Sequence, residues 1–105
     1  MNDRIASMLG LARRAGKLEA GFERCASAVK SGKAKLAISC SDISPKTKKE
    51  LNFLCEKHGV NSLDTFLTLT QLSAAIGIKA GLCVVCDDGF AKRLTELLTD
   101  NGKDD

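Results

Sequence analysis

"GLCVVCD", residues 81–87, sets apolar side chains one after another from Leu82 to Cys86, between Gly81 and an acidic end. A short apolar run without polar alternation reads as a strand covered on both faces. "AKLAISC" (34–40) has the same character. Two such strands set among helical stretches argue for an α/β fold, a three-layer α/β/α sandwich around a small sheet.

The helical stretches follow outward from these strands. Ile5, Met8, Leu9 and Ala12 recur at helical spacing after Asn2 or Asp3, either of which can cap. Gly16 stops that helix behind Arg13 and Arg14, cations placed at the negative end of its dipole. "KLEAG" is a very short extended piece ending at Gly21. A helix over about 22–31 carries an inward stripe of Phe22, Cys25, Ala26 and Val29, with Glu23, Ser27 and Lys30 on a polar face and Gly32 as its stop. "SDIS" caps the next helix, Pro45 fits its first turn, and Leu51, Leu54 and Cys55 point inward until Gly59. "VNSLDTFL" is a weak strand and loop, "TQLSAAIG" a short helix stopped at Gly77, and "DGFAKRLTELL" an amphipathic last helix. Cys40–Ser41–Asp42 and Cys86–Asp87–Asp88 each end a strand and cap a helix. Residues 1–99 read as a single domain and 100–105 as a frayed polar tail.

The chain has no Trp or Tyr, one Pro and four Phe, so its core must come from Leu, Ile, Val, Ala and Cys. No apolar run approaches the ~20 residues of a membrane span, and the first residues lack the shape of a secretory signal. Five cysteines, an odd number without framework spacing, fit a reducing cytoplasm. The net charge of +3 is unevenly spread: residues 1–35 carry eight basic and three acidic side chains, and the remainder eight and ten. Positive charge gathered in one third of the chain suits a polyanion.

The catalytic and metal readings fail one by one. Cys83–Val–Val–Cys86 lies inside a strand, where side chains three apart point to opposite faces, so it predicts core thiols rather than a redox pair or metal site. Cys55 and His58 share a helical face but have no second ligand pair and no orienting group. "VKSGKAK" would need Gly at Ser27 and Ser or Thr at Ala34 to be a phosphate loop, and it precedes a strand instead of a helix. No catalytic residue, metal ligand or cofactor is assigned.

The basic surface survives. Arg13, Arg14, Lys17, Arg24, Lys30, Lys33 and Lys35 cluster around Gly21, where a helix start offers unpaired N–H groups to a phosphate or base edge. Glycine at that turn permits close approach.

"LARRAGKLEAG", "AVKSGKAKL" and the Leu–x–x–Ala–Ile–Gly of residues 72–77, within a match over about residues 4–98, resemble the kink-turn RNA-binding ribosomal-protein family of L7Ae and L30e, and in particular its short bacterial members. The resemblance implies a four-stranded mixed sheet and an RNA-binding edge. It places Gly21, Phe22, Glu23, Arg24 and Ser27 in the RNA groove beside sheared G·A pairs. Ile78, Lys79 and Ala80 would pack on an extruded base, and Lys17 and Lys33 would flank the corner as phosphate contacts, with Arg13 and Lys30 assisting. The family's Gly-x-Asn-Glu…Lys reads here Gly21–Phe22–Glu23–Arg24…Ser27. Ionised Glu23 accepts hydrogen bonds and donates none; Arg24 reverses a sign and Ser27 removes a cation.

The sequence therefore predicts a non-catalytic, cytoplasmic, ribosomal-protein-like monomer that binds structured RNA, of kink-turn or other ribosomal type, in translation or ribosome biology. The alternative is a protein-interaction module on the same sandwich. Charge reversal at Lys17 and Lys33 separates the two, since docking through an apolar surface would be indifferent to it.

Overall fold

In the computed structural model, which describes residues 2–99, five helices surround a four-stranded sheet. The order is α1 (Asn2–Arg14), β1 (Leu18–Ala20), α2 (Phe22–Lys30), β2 (Leu36–Ser39), α3 (Pro45–His58), β3 (Asn61–Asp64), α4 (Leu69–Ile76), β4 (Leu82–Val85) and α5 (Asp88–Thr99). The side chains of Asn2 and Asp3, read as caps, and the tail 100–105 lie outside the described residues.

Across the sheet the strands run β1-β4-β2-β3. β4 is antiparallel to both β1 and β2, and β2 is parallel to β3, which makes the sheet mixed. Every residue of β2 and β4 is buried, the pattern of central strands covered on both faces. Alternation sends Leu36, Ile38, Cys83 and Val85 toward α1, α4 and α5, where they meet Ile5, Leu9, Leu72, Ile76 and Leu94. Ala37, Leu82 and Val84 face the other layer, built from Cys25, Val29, Leu51 and Cys55 of α2 and α3. The three-layer sandwich is thus formed.

Two local readings are corrected. Along α2 the buried residues are Cys25, Ala28 and Val29, while Phe22 and Ala26 are half-buried, so the stripe is rotated toward Ala28. Ser44 caps α3, its hydroxyl accepting from the Thr47 N–H at 3.2 Å. Asp42 instead reaches across to α4 and accepts from the Leu69 N–H at 2.8 Å. Asp87 does cap the helix that follows it, accepting from the Phe90 N–H at 2.9 Å.

The cysteines are free. Cys83 and Cys86 face opposite layers, as strand alternation requires. Burial raises the Cys83 thiol pKa and pushes that of Cys25 up to about 12. Cys55 is buried and its pKa raised for the same reason, while His58 is exposed.

α1 and α4 approach closely at Gly10, where an added Cβ would stand 3.1 Å from the Ala75 carbonyl oxygen. That oxygen belongs to helix backbone and cannot swing aside.

Two outcomes follow from this packing. A Gly10→Val substitution should destabilise the protein by about 1–3 kcal/mol, the usual range for overpacking, read as a lowered urea midpoint; an unchanged midpoint would refute the close contact. Thiol titration of the native protein should find Cys86 as the one rapidly reacting group, because the other four are buried, with all five reacting after denaturation. The Cys86 pKa is itself raised above the ordinary 9.0, so its alkylation rate should go on climbing at pH values where a free thiol has levelled off.

Candidate nucleic-acid interface

β1 ends at Gly21, whose N–H donates to the Leu82 carbonyl at 3.2 Å. Its backbone, φ 91° and ψ 149°, lies in a region that is essentially glycine's own. The chain turns there into α2, and Gly21 accepts the first helical bond from the Cys25 N–H at 2.9 Å. No side chain caps this helix start. α3, α4 and α5 each close theirs with Ser44, Thr68 or Asp87. The first-turn amides of α2 are therefore left to solvent or a ligand, at the positive end of the helix dipole.

Glu23, Arg24, Ser27 and Lys30 are exposed along α2, and Phe22 packs half-buried against the α2–α3 core. Arg24 pairs with Glu19 of β1 at 3.6 Å. The pair is largely in water and holds the guanidinium weakly.

Beside this corner lies the loop from Gly77 to Gly81, because Leu82 is the residue that bonds Gly21. The loop is clamped from two sides. The Ser73 hydroxyl accepts from the Ala80 N–H at 3.0 Å and donates to the Ala80 carbonyl at 3.3 Å. From α1, Arg13 donates to the Ile76 carbonyl at 2.6 Å, satisfying an orphan acceptor at the end of α4. Ala80 is buried, so it offers no surface to a base; the exposed side chains of this loop are Ile78 and Lys79. Leu69, at the start of α4, adds a half-exposed apolar side chain, its Cδ1 lying 3.4 Å from where a Gly81 Cβ would stand. Sequence reading passed over Leu69. Its signal was an apolar residue at the first position of a helix, where inward periodicity does not demand one.

Lys17 and Lys33 do not flank the Gly21 corner. Lys17 sits at the opposite end of β1, where its carbonyl accepts from the Cys86 N–H at 2.8 Å. Four residues of extended chain, about 13 Å, separate it from Gly21. Lys33 follows the far end of α2, its N–H bonded to the Ala28 carbonyl. Arg24, Ser27, Ser31 and Lys33, with Glu19 and Ala28, line one groove along this side of α2.

Among the described residues, no group of three or more His, Cys, Asp or Glu side chains could hold a metal ion, and no helix is long and apolar enough to cross a membrane.

The chain can now be set beside known proteins. It is 32% identical over 92 residues to the RNA-binding protein YlxQ of Enterococcus faecium, an alignment covering 88% of each chain. It is 33% identical to the protein of the same name from Bacillus subtilis, covering 87% of this chain and 91% of that one. A solved structure of a protein of unknown function from Bacillus halodurans superposes with a TM-score of 0.84 at 34% identity, covering 90% of this chain and 95% of the other. The Giardia lamblia 15.5kD RNA binding protein shares the fold, with a TM-score of 0.73 at 17% identity over 94% of this chain and 85% of its own. The profile of the ribosomal protein L7Ae/L30e/S12e/Gadd45 family matches residues 3–95. With nearly its whole length aligned to that profile and its strands, helices and Gly21 corner in one sandwich, the chain belongs to the ribosomal protein L7Ae/L30e/S12e/Gadd45 family.

Proposed function

We propose that this chain is a non-catalytic RNA-binding protein whose domain, residues 1–99, recognises structured RNA of the kink-turn kind as a cytoplasmic monomer acting in translation or ribosome biology. The carrying observation is the uncapped, glycine-started end of α2 next to a clamped loop with an exposed Ile78. Membership of the family and the RNA-binding names of its relatives support the reading.

In this reading the α2 amides and Gly21 enter the RNA groove, Glu23 and Arg24 meet base edges, and Ser27 and Lys30 contact the backbone. Phe22 supports the corner from beneath. Ile78 and Leu69 offer an apolar surface to an unstacked base, with Lys79 beside a phosphate. Arg13 acts through the loop it holds and not through phosphate.

Binding to a kink-turn RNA should fall with salt at a log–log slope of roughly −3 to −5, as four to six phosphate contacts require. Replacing the G·A pairs should weaken it. Gly21→Val, which forces a β-branched residue into a glycine conformation, should reduce affinity at least tenfold while circular dichroism stays native. Binding that is undetectable at low salt, or indifferent to salt, would sink the reading. Arg13→Ala should lower affinity several-fold and leave the salt slope unchanged, with Arg13→Lys partly restoring it. A slope reduced by about one would mark Arg13 as a phosphate contact instead.

A further inference from the structure

Three lysines from two stretches of chain, Lys17 before β1 and Lys33 and Lys35 before β2, meet at the end of the sheet away from Gly21. The Cys86 N–H donates to the Lys17 carbonyl and the Lys35 N–H to the Val85 carbonyl, each at 2.8 Å. Lys17 and Lys35 therefore stand on either side of the end of β4, with strands about 4.8 Å apart. Leu18 and Leu36 point to the α1–α4–α5 layer, while Cys86 packs on the α2 side together with Ala34, the residue between Lys33 and Lys35. Lys33 arrives there from the turn behind α2.

All three lysines are exposed, and among the described residues none forms a salt bridge. Their charges act on one sulfur: burial first, then Glu19, raise the Cys86 pKa, and Lys33, Lys17 and Lys35 each oppose that rise. They are not needed to cap α2, because the Ser27, Ala28 and Val29 carbonyls already accept backbone N–H groups from Ser31, Lys33, Ala34 and Gly32. Of the acids near this end, Glu19 pairs with Arg24 at 3.6 Å and Asp87 caps α5, and neither forms a salt bridge with these lysines. Three cations brought this close repel one another, with Glu19 offsetting part of that repulsion, and an anionic partner lowers it further.

We propose that Lys17, Lys33 and Lys35 form a second phosphate-contact zone that grips the backbone of a helical stem flanking the segment read by the Gly21 corner. This rests on the RNA-binding reading above. α2 spans about 14 Å between the two zones, too far for one nucleotide, and the groove lined by Arg24, Ser27, Ser31 and Lys33, with the Glu19 carboxylate paired to Arg24, lies between them. The corner decides which RNA fold is bound; the lysine end adds affinity without sequence preference.

Cys86 supplies the probe, being central to the lysines and the least buried thiol. Iron–EDTA coupled to it in the full chain should cleave a bound kink-turn RNA with extended stems, in a stem next to the segment protected by the corner. A Lys17→Gln, Lys33→Gln, Lys35→Gln variant should keep its preference for the kink-turn over the G·A-replaced RNA. Its salt slope should become shallower by about two to three, at 0.7–0.9 per lost contact. An unchanged slope, or cleavage confined to the segment that Gly21→Val ceases to protect, overturns the second zone and leaves the first standing. Loss of kink-turn preference in the triple variant also overturns it. A wild-type protein that binds no structured RNA is the separate failure of the reading beneath it.

Discussion

β1 is three residues long, lies at the edge of the sheet and has β4 as its one neighbouring strand. Both ends of the candidate surface hang from that pairing. At one end the Gly21 N–H meets the Leu82 carbonyl; at the other the Lys17 carbonyl meets the Cys86 N–H. The register between them is fixed by β4, whose Leu82 and Val84 are buried in one layer and Cys83 and Val85 in the other. A slip of one residue would invert every side chain of β1, exposing Leu18 and Ala20 and pushing Glu19 into the core. The hydrophobic contacts of a central strand thus determine where polar surface residues on the neighbouring edge strand are held.

The loop beside the corner depends on a second contact, the approach of α1 to α4 at Gly10. Only with the helices this close can Arg13 reach the Ile76 carbonyl, and the same contact places its guanidinium against Gly77. With Ser73 holding both polar groups of Ala80, little freedom is left between Gly77 and Gly81. A loop already ordered loses less entropy on binding than one that must be ordered by its ligand. Ile78 is thereby exposed on a rigid support, which suits an apolar contact that has no hydrogen bond to direct it.

The two central strands were legible because an uninterrupted apolar run has few other uses, and the starts of α3 and α5 were legible from Ser44 and Asp87 beside them, whereas the Thr68 cap of α4 was passed over and that helix was begun late. Asp42 was misplaced because its partner is the Leu69 amide, 27 residues along the chain, and sequence reasoning sees only adjacent caps. The α2 stripe was rotated because Ala26 and Ala28 are alike in sequence; the packing of α2 on β4 chooses between them. The candidate corner was visible as glycine before a helix. The placing of Lys17 and Lys33 was not, since charges close together in sequence give no warning that an extended strand lies between one of them and Gly21. Ala80 was taken for a surface residue because nothing in "GIKAG" reveals that Ser73 binds its backbone inward.

The chemistry of the corner constrains how Glu23 can be used under the proposed reading. Its carboxylate sits in the first turn of α2, where the helix dipole favours a negative charge. The same open amides attract RNA phosphate, and a phosphate beside Glu23 would meet a like charge. The carboxylate must therefore turn to donors, and the donors an RNA groove provides are base N–H groups, such as those of guanine, and ribose 2′-hydroxyls. Arg24 works in the opposite sense. Its exposed pair with Glu19 is worth roughly 0–1 kcal/mol, so the guanidinium is held only weakly and gives up little when a phosphate or base acceptor arrives. An Asn at position 23 could meet donors and acceptors alike; Glu23 restricts the corner to sites that present donors and moves the acceptor-seeking role to Arg24.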